Sequence, residues 1–329
     1  MDASQQRALG ASGLAVSPLS LGSWRTFERM SREEGLAVMR AARELGVNFL
    51  DDARYDDETG TAPIPTGYSE VLFGELFRAA GWPRDETVVA NKLWWEFWPE
   101  QSAAQELAGS LGRMRLDHVD LIYALPPPEA LGVAGAVEEA AGLVGSGAAR
   151  AWGVANWSAS QLAEASRVAT ERGVPQPVAA QLPYSVVQRS PVEDRETLAA
   201  VHDSGCGVVA SFVLAGGVLT AKYETDPRTG RAAGTLADPQ VARARRAAVE
   251  LRAIATDLGS SAAALAVAFV LANAAVASAL VGATTPAQLE ETARGVDLAP
   301  SLGAAELERL RTIGAAAGQG EPTGASKDE

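Results

Sequence analysis

Titratable and amide side chains follow short apolar runs at several points of this sequence. Asp51 and Asp52 end the run in GVNFLDD, Lys92 ends the run in VVANK, and Asn156 follows AWGVA. Tyr55 comes shortly after the two aspartates. A tyrosine hydroxyl has a reference pKa near 10, so it is a poor proton donor at neutral pH unless a nearby cation lowers that value. A lysine backed by a carboxylate can supply such a cation, which indicates acid–base chemistry.

The elements that carry these residues follow from the alternation of apolar, β-branched runs with alanine-rich amphipathic segments. Strands that are apolar on both faces and alternate with helices indicate a parallel sheet covered by helices. Eight such units in about 250–300 residues are typical of a (β/α)8 barrel. The predicted strands are Leu19–Gly22, Asn48–Asp51, Thr87–Asn91, Val119–Ala124, Ala151–Ala155, Ala179–Leu182, Val208–Phe212 and Ser278–Gly282. A doubly wound sheet is the alternative, but its G-x-G-x-x-G fingerprint is missing after the first strand.

Local signals fix the ends of this arrangement. Ser31 stands three residues before Glu34, which predicts a capping box at the start of a helix, and Gly173 is typical of a helix C-terminus. RALGASGLAVSPLSLG predicts an N-terminal hairpin turned at Ser12-Gly13 that closes the barrel bottom. We therefore expect one barrel domain over residues 1–314, followed by a disordered Gly/Pro/Ser-rich tail over 315–329.

Composition limits the possible partners. A net charge of −13 argues against nucleic acid and membrane surfaces, although an anionic cofactor needs only a few local cations. The only cysteine, Cys206, excludes an internal disulfide and is typical of the reducing cytoplasm. Residues 262–282 are apolar enough to imitate a membrane span, but we interpret them as a buried helix followed by a buried strand. Because no signal peptide is readable, we expect a cytoplasmic protein. We expect its partner to be a small molecule, and we expect no metal.

Nine segments, in this order, resemble the aldo-keto reductases over almost the whole chain: RALGASGLAVSPLSLGSW, GVNFLDDA, GYSEVLFGELF, VVANK, RLDHVDLIY, AWGVANW, AQLPYS, LAGGVLTAKY and LVGATTPAQLEE. The resemblance is strongest to the branch that includes the potassium-channel β subunits. It implies an NADPH-dependent carbonyl reductase with an Asp, Tyr, Lys and His set at the barrel mouth. Asp51 matches the aspartate and Lys92 the lysine.

The tyrosine and the histidine depart from that pattern. Tyr55 lies one residue closer to Asp51 than the family's tyrosine does, and the long segment after it contains a second candidate, Tyr68. Leu125 stands where the family has its histidine. The only two histidines, His118 and His202, fall before the fourth strand and in the helix before the seventh. Leucine can neither donate a hydrogen bond to a carbonyl oxygen nor move a proton, so the chemistry either relies on the tyrosine or differs from simple carbonyl reduction.

The resemblance also implies a cofactor site. Asn156 and Gln181 match the pair that holds the nicotinamide carboxamide, whereas Ala155 replaces a serine. Phe212 is displaced by one position from the family's aromatic residue, so it either stacks on the nicotinamide or that platform is lost. TTPAQLEE by itself indicates an ordinary capped helix; the resemblance assigns it to the adenosine end. The expected cofactor residues are Gly22, Ser23, Trp24, Asp51, Asn156, Gln181, Phe212, Leu214, Lys222, Arg231, Gly282, Thr284, Gln288 and Glu291.

The loop LWWEFWPE after Lys92 contains three of the seven tryptophans. An aromatic wall at a barrel mouth suits a large or ring-bearing substrate, and the alternative is packing of the loop against TAPIPTGY. The expected substrate pocket is Trp24, Tyr68, Trp94, Trp95 and Leu125.

Three functional hypotheses follow. The first is an NADPH-dependent reductase with an altered catalytic set, acting on a carbonyl, an imine or an activated double bond. The second is a cofactor-binding protein without catalysis, and the third is a lyase, isomerase or cyclase that keeps the pocket but not the redox step. A further alternative, that Asp51 and Lys92 only join two strands, is opposed by the cost of burying two charges.

Overall fold

A closed barrel of eight parallel strands forms the centre of the protein. A computed structural model describes residues 1, 5–226 and 232–317. Around the barrel the strands are hydrogen-bonded in the order β10–β3–β4–β5–β6–β7–β8–β9, which confirms the predicted (β/α)8 fold. They are β3 (Leu19–Gly22), β4 (Phe49–Asp51), β5 (Val88–Leu93), β6 (Val119–Ala124), β7 (Ala149–Ala155), β8 (Ala179–Pro183), β9 (Gly207–Ser211) and β10 (Val276–Val281).

Helices cover the outside of the barrel. They are α1 (Arg32–Glu44), α2 (Tyr68–Ala79), α3 (Ala103–Met114), α4 (Gly132–Gly145), α5 (Ala159–Arg172), α6 (Ser190–Glu193), α7 (Arg195–Ser204), α8 (Pro239–Asp257), α9 (Ala262–Leu271), α10 (Pro286–Leu298) and α11 (Ala304–Ala317). The predicted capping box is present, because Ser31 Oγ accepts from the Glu34 amide while Glu34 accepts from the Ser31 amide. Gly173 ends α5 in the left-handed conformation, as predicted.

Strands β3 and β6 have their predicted bounds, and the other six differ from the predicted ones by one or two residues at an end. β9 stops at Ser211, because Phe212 has a φ of +53° and cannot continue a strand. β10 begins at Val276, two residues before the predicted start, and a register shift follows between Val276 and Ser278. These offsets leave each strand in its predicted place.

The predicted N-terminal hairpin is confirmed. β1 (Arg7–Ala8) pairs antiparallel with β2 (Ala15–Val16), and Leu9, Leu14 and Val16 pack into the interior of the barrel. Gly10, with a φ of +54°, lies so close to the carbonyl oxygens of Val178 and Gly205 that a Cβ would be about 2.3–2.4 Å from them. Glycine is therefore required where the hairpin meets the strand starts.

The apolar segment over residues 262–282 forms helix α9 and strand β10, as predicted, and every side chain of α9 is buried. Of the helices described, none alone is long and apolar enough to cross a membrane, although the bent pair α8 and α9 passes that test by length and composition together. Cys206 is buried, and burial raises the pKa of its thiol to about 11. Helix α11 continues to Ala317, three residues into the predicted tail, and the rest of that tail lies outside the described residues.

Candidate active site

Asp51, Lys92 and Tyr55 meet at the C-terminal end of the barrel strands. Asp51 and Phe49 share the inner face of β4, and Lys92 and Ala90 share that of β5, because side chains alternate along a strand. Lys92 Nζ donates a hydrogen bond to Asp51 Oδ1 and a second one to the Tyr55 hydroxyl, 3.2 Å away. The Lys92 and Asp51 side chains are only 7 % and 2 % exposed. A buried ion pair thus holds its cation against a tyrosine hydroxyl.

The pKa values follow from this burial. Burial alone would lower the pKa of Lys92, but the Asp51 carboxylate and the Tyr55 hydroxyl offset it, and the net pKa is raised. Burial also raises the pKa of Tyr55, and the charge of Lys92 offsets only part of that rise because Asp51 and Asp52 act in the opposite direction. The sequence-based expectation was a cation that lowers the tyrosine pKa. Lys92 does act in that sense, but burial is the larger effect.

Amide groups from two further strands complete the floor of the site. Gln181, on β8, donates from Nε2 to Asp51 Oδ2 at 2.9 Å, so both carboxylate oxygens of Asp51 accept a hydrogen bond. Asn156 follows β7 with a φ of +61°, and its amide donates to the Gln181 carbonyl at 2.9 Å. The Gln181 side chain is therefore fixed to Asp51, whereas Asn156 is held to Gln181 through the backbone and its side chain is exposed.

Leu125 follows β6, as predicted, and the structure shows what holds it there. Its amide donates to the Leu93 carbonyl at 3.1 Å, and its own carbonyl accepts from Trp95 Nε1 at 2.9 Å. His118 precedes β6 at the opposite end of the barrel, and His202 is exposed on α7. Neither histidine follows the C-terminal end of a barrel strand, where Leu125 lies.

The loop after β5 divides its tryptophans between the mouth and the core. Trp94 packs edge-on against Tyr55, with ring centroids 5.9 Å apart, and its place in a substrate pocket stays a prediction. Trp95 does not line the pocket as expected: it is buried in the hydrophobic core. A left-handed φ of +62° at Trp95 turns its indole away and onto the Leu125 carbonyl.

Tyr68, the second tyrosine candidate, lies elsewhere. It is the first residue of α2, and its hydroxyl accepts from Arg32 Nη2 at 3.3 Å, on the outer helical layer. Tyr55 reaches Lys92 although it lies one residue nearer to Asp51, because the chain leaves β4 directly and Tyr55 bonds back through its amide to the Ala53 carbonyl at 2.9 Å. The structure thus corrects the expectation that Tyr68 lines the substrate pocket.

A sequence model of the aldo/keto reductase family matches residues 18–314. The chain belongs to this family. It is 33 % identical over 324 residues to a probable voltage-gated potassium channel subunit beta of Oryza sativa subsp. japonica. It is 31 % identical over 324 residues to a protein of the same description in Arabidopsis thaliana. Each comparison covers 94 % of this chain and 96 % of the relative.

Aldo/keto reductases generally bind NADP(H). Trp24, which follows β3, and Phe212, which follows β9, are in edge-on contact with ring centroids 5.4 Å apart, and Phe212 is 46 % exposed. The Ser23 side chain is buried rather than exposed at the mouth, and its hydroxyl donates a hydrogen bond to Asp52 Oδ1. Gly22 pairs in register with Asp51 at the end of β3. The exposed aromatic ring of Phe212 is chemically suited to stack on a nicotinamide.

The outer part of the expected cofactor site is polar and largely exposed. Thr284 donates from its amide and its hydroxyl to Gln288 Oε1, at 2.9 and 3.1 Å, directly before α10. Lys222 is exposed, and its ammonium group lies 5.1 Å from the centre of the Tyr223 ring. A cation and a helix N-terminus suit phosphate groups. Of the remaining expected residues, Leu214 and Glu291 are half-buried, Gly282 is exposed, and Arg231 lies outside the described residues.

Two neighbours of the cluster were not among the predicted site residues. Tyr123 pairs in register with Lys92 inside the barrel, and its ring centre lies 6.0 Å from Lys92 Nζ. Its position two residues before Leu125, on the same strand face, was a signal that could have found it. The second, Asp52, is fully buried beside the predicted pair. Among the described residues no group of three or more His, Cys, Asp or Glu side chains could hold a metal ion.

Proposed function

We propose that this aldo/keto reductase is an NADPH-dependent oxidoreductase that reduces a carbonyl, an imine or an activated double bond. The observation that carries the proposal is the buried Lys92, whose ammonium group bonds both to Asp51 and to the Tyr55 hydroxyl. A purely structural ion pair has no need of a partly accessible tyrosine as its third member. The family membership supports an oxidoreductase in general.

In this proposal Tyr55 donates the proton. Burial keeps its hydroxyl protonated at neutral pH, since its pKa is raised. As the substrate takes the proton, negative charge develops on the tyrosine oxygen, and the Lys92 ammonium at 3.2 Å stabilises that charge. Asp51 and Gln181 hold Lys92 in place without moving a proton themselves. A bound NADPH supplies the hydride.

The residues of the chain are suited to that cofactor. Asn156 and Gln181 can hold a carboxamide, Phe212 offers a ring face, and Lys222 with the segment before α10 can bind phosphates. The preference for NADPH over NADH is part of the proposal, as is a cytoplasmic location, which the single cysteine supports.

The substrate is proposed to be fairly large or aromatic. Trp94 packs against Tyr55, Trp24 and Phe212 contact each other, and Leu125 is half-buried after β6, so these four residues supply apolar surface at the ends of the strands. With leucine at position 125, a carbonyl oxygen would have one side-chain donor instead of two. This favours a substrate that needs less polarisation, such as an imine or a conjugated double bond.

The first test is a titration of the purified protein with NADPH and then NADH, followed by tryptophan fluorescence. Binding in the micromolar range, with energy transfer from Trp24 and Trp94 to the reduced cofactor, is the expected result. Carbonyls, imines and enones are then screened for loss of NADPH absorbance. An absence of binding at millimolar NADPH would contradict the proposal.

The second test compares two tyrosine variants. Tyr55→Phe is expected to lower kcat by about 10²–10⁴, since it removes the proton donor, with little change in NADPH binding. Tyr68→Phe removes only a hydrogen bond to Arg32 and is expected to keep most of the turnover. The reverse order of effects would make Tyr68 the donor.

Leu125 favours a second candidate function. Without a second donor, the same pocket could bind NADPH without turnover, and the two relatives are named as potassium channel β subunits rather than as enzymes. Tight NADPH binding with no turnover of any carbonyl, imine or enone would favour that candidate. Activity without any nicotinamide would instead identify acid–base chemistry of the lyase, isomerase or cyclase type.

A further inference from the structure

A second carboxyl group, that of Asp52, lies buried directly behind the Asp51–Lys92 pair. Its amide donates to the Ala90 carbonyl at 3.1 Å, and Oδ1 accepts a hydrogen bond from Ser23 Oγ. The other oxygen, Oδ2, is buried and has no hydrogen-bond partner among the described residues. No cation is bonded to either oxygen of Asp52 in that part of the chain.

The groups around Asp52 disfavour its negative charge. Glu70, fully buried on α2, faces it and is itself held by Asn91 Nδ2 at 2.9 Å and by Arg113 Nε at 2.5 Å. Lys92 is a cation on the barrel side, but its two hydrogen bonds go to Asp51 and Tyr55. Burial first, and then the Glu70 carboxylate, raise the pKa of Asp52 well above its usual range; the Ser23 hydrogen bond and Lys92 act against that rise.

The charge state of Asp52 matters to the proposed proton donor. An ionised Asp52 raises the pKa of Tyr55 and so opposes Lys92. A neutral Asp52 removes one of the two negative charges that oppose Lys92 at the tyrosine, the other being Asp51. Ser23, which bonds to Asp52, also donates from its amide to the Asp51 carbonyl at 3.0 Å and carries Trp24 into the mouth.

We propose that Asp52 is a positioning residue of the active site: as a neutral carboxylic acid it holds Ser23, and the loop that carries Trp24, without placing a second negative charge beside Tyr55. The inference rests on the proposed function, because it assigns Asp52 a role through Tyr55. It also predicts a specific behaviour with pH. Ionisation of Asp52 makes Tyr55 a weaker proton donor, so turnover falls as the pH rises through the pKa of Asp52.

The experiment measures kcat against pH for the wild type, Asp52→Asn and Ser23→Ala. Asn has the shape of the neutral acid and cannot ionise, so Asp52→Asn is expected to lose the alkaline fall that the wild type shows. Ser23→Ala removes a hydrogen bond that favours the ionised form, so its fall is expected at a higher pH than in the wild type. Identical profiles for the wild type and Asp52→Asn would overturn the proposal, as would a uniform loss of kcat at every pH.

A second measurement does not need turnover. Unfolded Asp52 ionises near pH 4, whereas the folded residue stays protonated, so each pH unit above 4 and below its folded pKa favours unfolding by about tenfold. The unfolding equilibrium constant of the wild type relative to Asp52→Asn is therefore expected to rise over that window. A ratio that does not change with pH would show an ionised Asp52 and overturn the inference. If no substrate is turned over, the proposed function fails separately, and this ratio still decides the protonation state.

Discussion

Two buried ion-pair clusters lie at opposite ends of the same barrel, and they differ in what holds the carboxylate. At the N-terminal end of the strands, Asp120 Oδ2 accepts from Arg84 Nη1 at 2.7 Å and from the Val89 amide at 2.9 Å. Its other oxygen accepts from Arg150 Nη1 at 2.9 Å. At the C-terminal end, Asp51 is held by Lys92 and Gln181. Both aspartates are almost completely buried.

The difference lies in the cations. Arg84 and Arg150 are 27 % and 57 % exposed, so their guanidinium groups bridge the buried carboxylate to solvent. Guanidinium stays charged under all ordinary conditions, which suits a permanent connection between β5, β6 and β7. Lys92 is buried, and its second partner is a tyrosine hydroxyl that can give up a proton. The Asp120 cluster therefore has the features of a structural connection, and the Asp51 cluster has those of a chemical site. This agrees with the general rule that such barrels carry their chemistry at the C-terminal ends of the strands and that the N-terminal ends serve stability.

The largest effect is expected from breaking the chemical cluster. Lys92→Met removes the cation that stabilises charge on Tyr55, so turnover is expected to fall by about 10³ or more. NADPH binding, measured by tryptophan fluorescence, serves as the control for a folded protein. A variant that binds NADPH and keeps the wild-type rate would contradict the assignment of Lys92.

Much of the fold could be predicted from sequence because each strand is a short apolar run between helix signals. The ends were less accurate where the backbone turns abruptly: Phe212 was expected within a strand, but its positive φ ends β9 one residue earlier. No propensity signals a left-handed phenylalanine. The register shift at the start of β10 is likewise a property of the closed sheet rather than of the segment.

In the candidate site, too, some residues could be placed from sequence and others could not. The places of Asp51, Lys92 and Leu125 could be predicted, because each residue lies at the end of a strand and the strands follow from the alternation of apolar runs and loops. Sequence could not decide between Tyr55 and Tyr68, since the choice depends on the path of the chain after β4. Nor could it separate Trp94 from Trp95, which are neighbours in sequence; one faces Tyr55 and the other bonds the Leu125 carbonyl in the core.

A smaller effect, on stability alone, is expected from breaking the structural cluster. Asp120→Asn removes the buried carboxylate that pairs with Arg84, and we expect it to lower the free energy of unfolding by about 2 kcal/mol. The lost pair with the exposed Arg150 contributes little to this change. Urea unfolding followed by circular dichroism measures this loss. Because Asp120 lies at the far end of β6, kcat is expected to stay unchanged at a temperature where the variant is folded. A loss of kcat as large as that of Lys92→Met would remove the distinction between the two ends.

The smallest effect tests the predicted departure from the family at the chemical end. Leu125→His places an imidazole donor where the resemblance to the family predicts a histidine, on a backbone that the Trp95 indole already fixes through the Leu125 carbonyl. An oxyanion donor can contribute about 10²–10³ in rate where its surroundings are built for it. Here the side chain at position 125 packs against the hydrophobic core, so we expect a gain of only about tenfold in kcat/KM for a carbonyl substrate. Leu125→Met, which changes the shape but adds no N–H donor, is the matched control. If both variants leave kcat/KM unchanged, the substrate atom that receives the proton does not lie near Leu125, and Tyr55 supplies the polarisation alone.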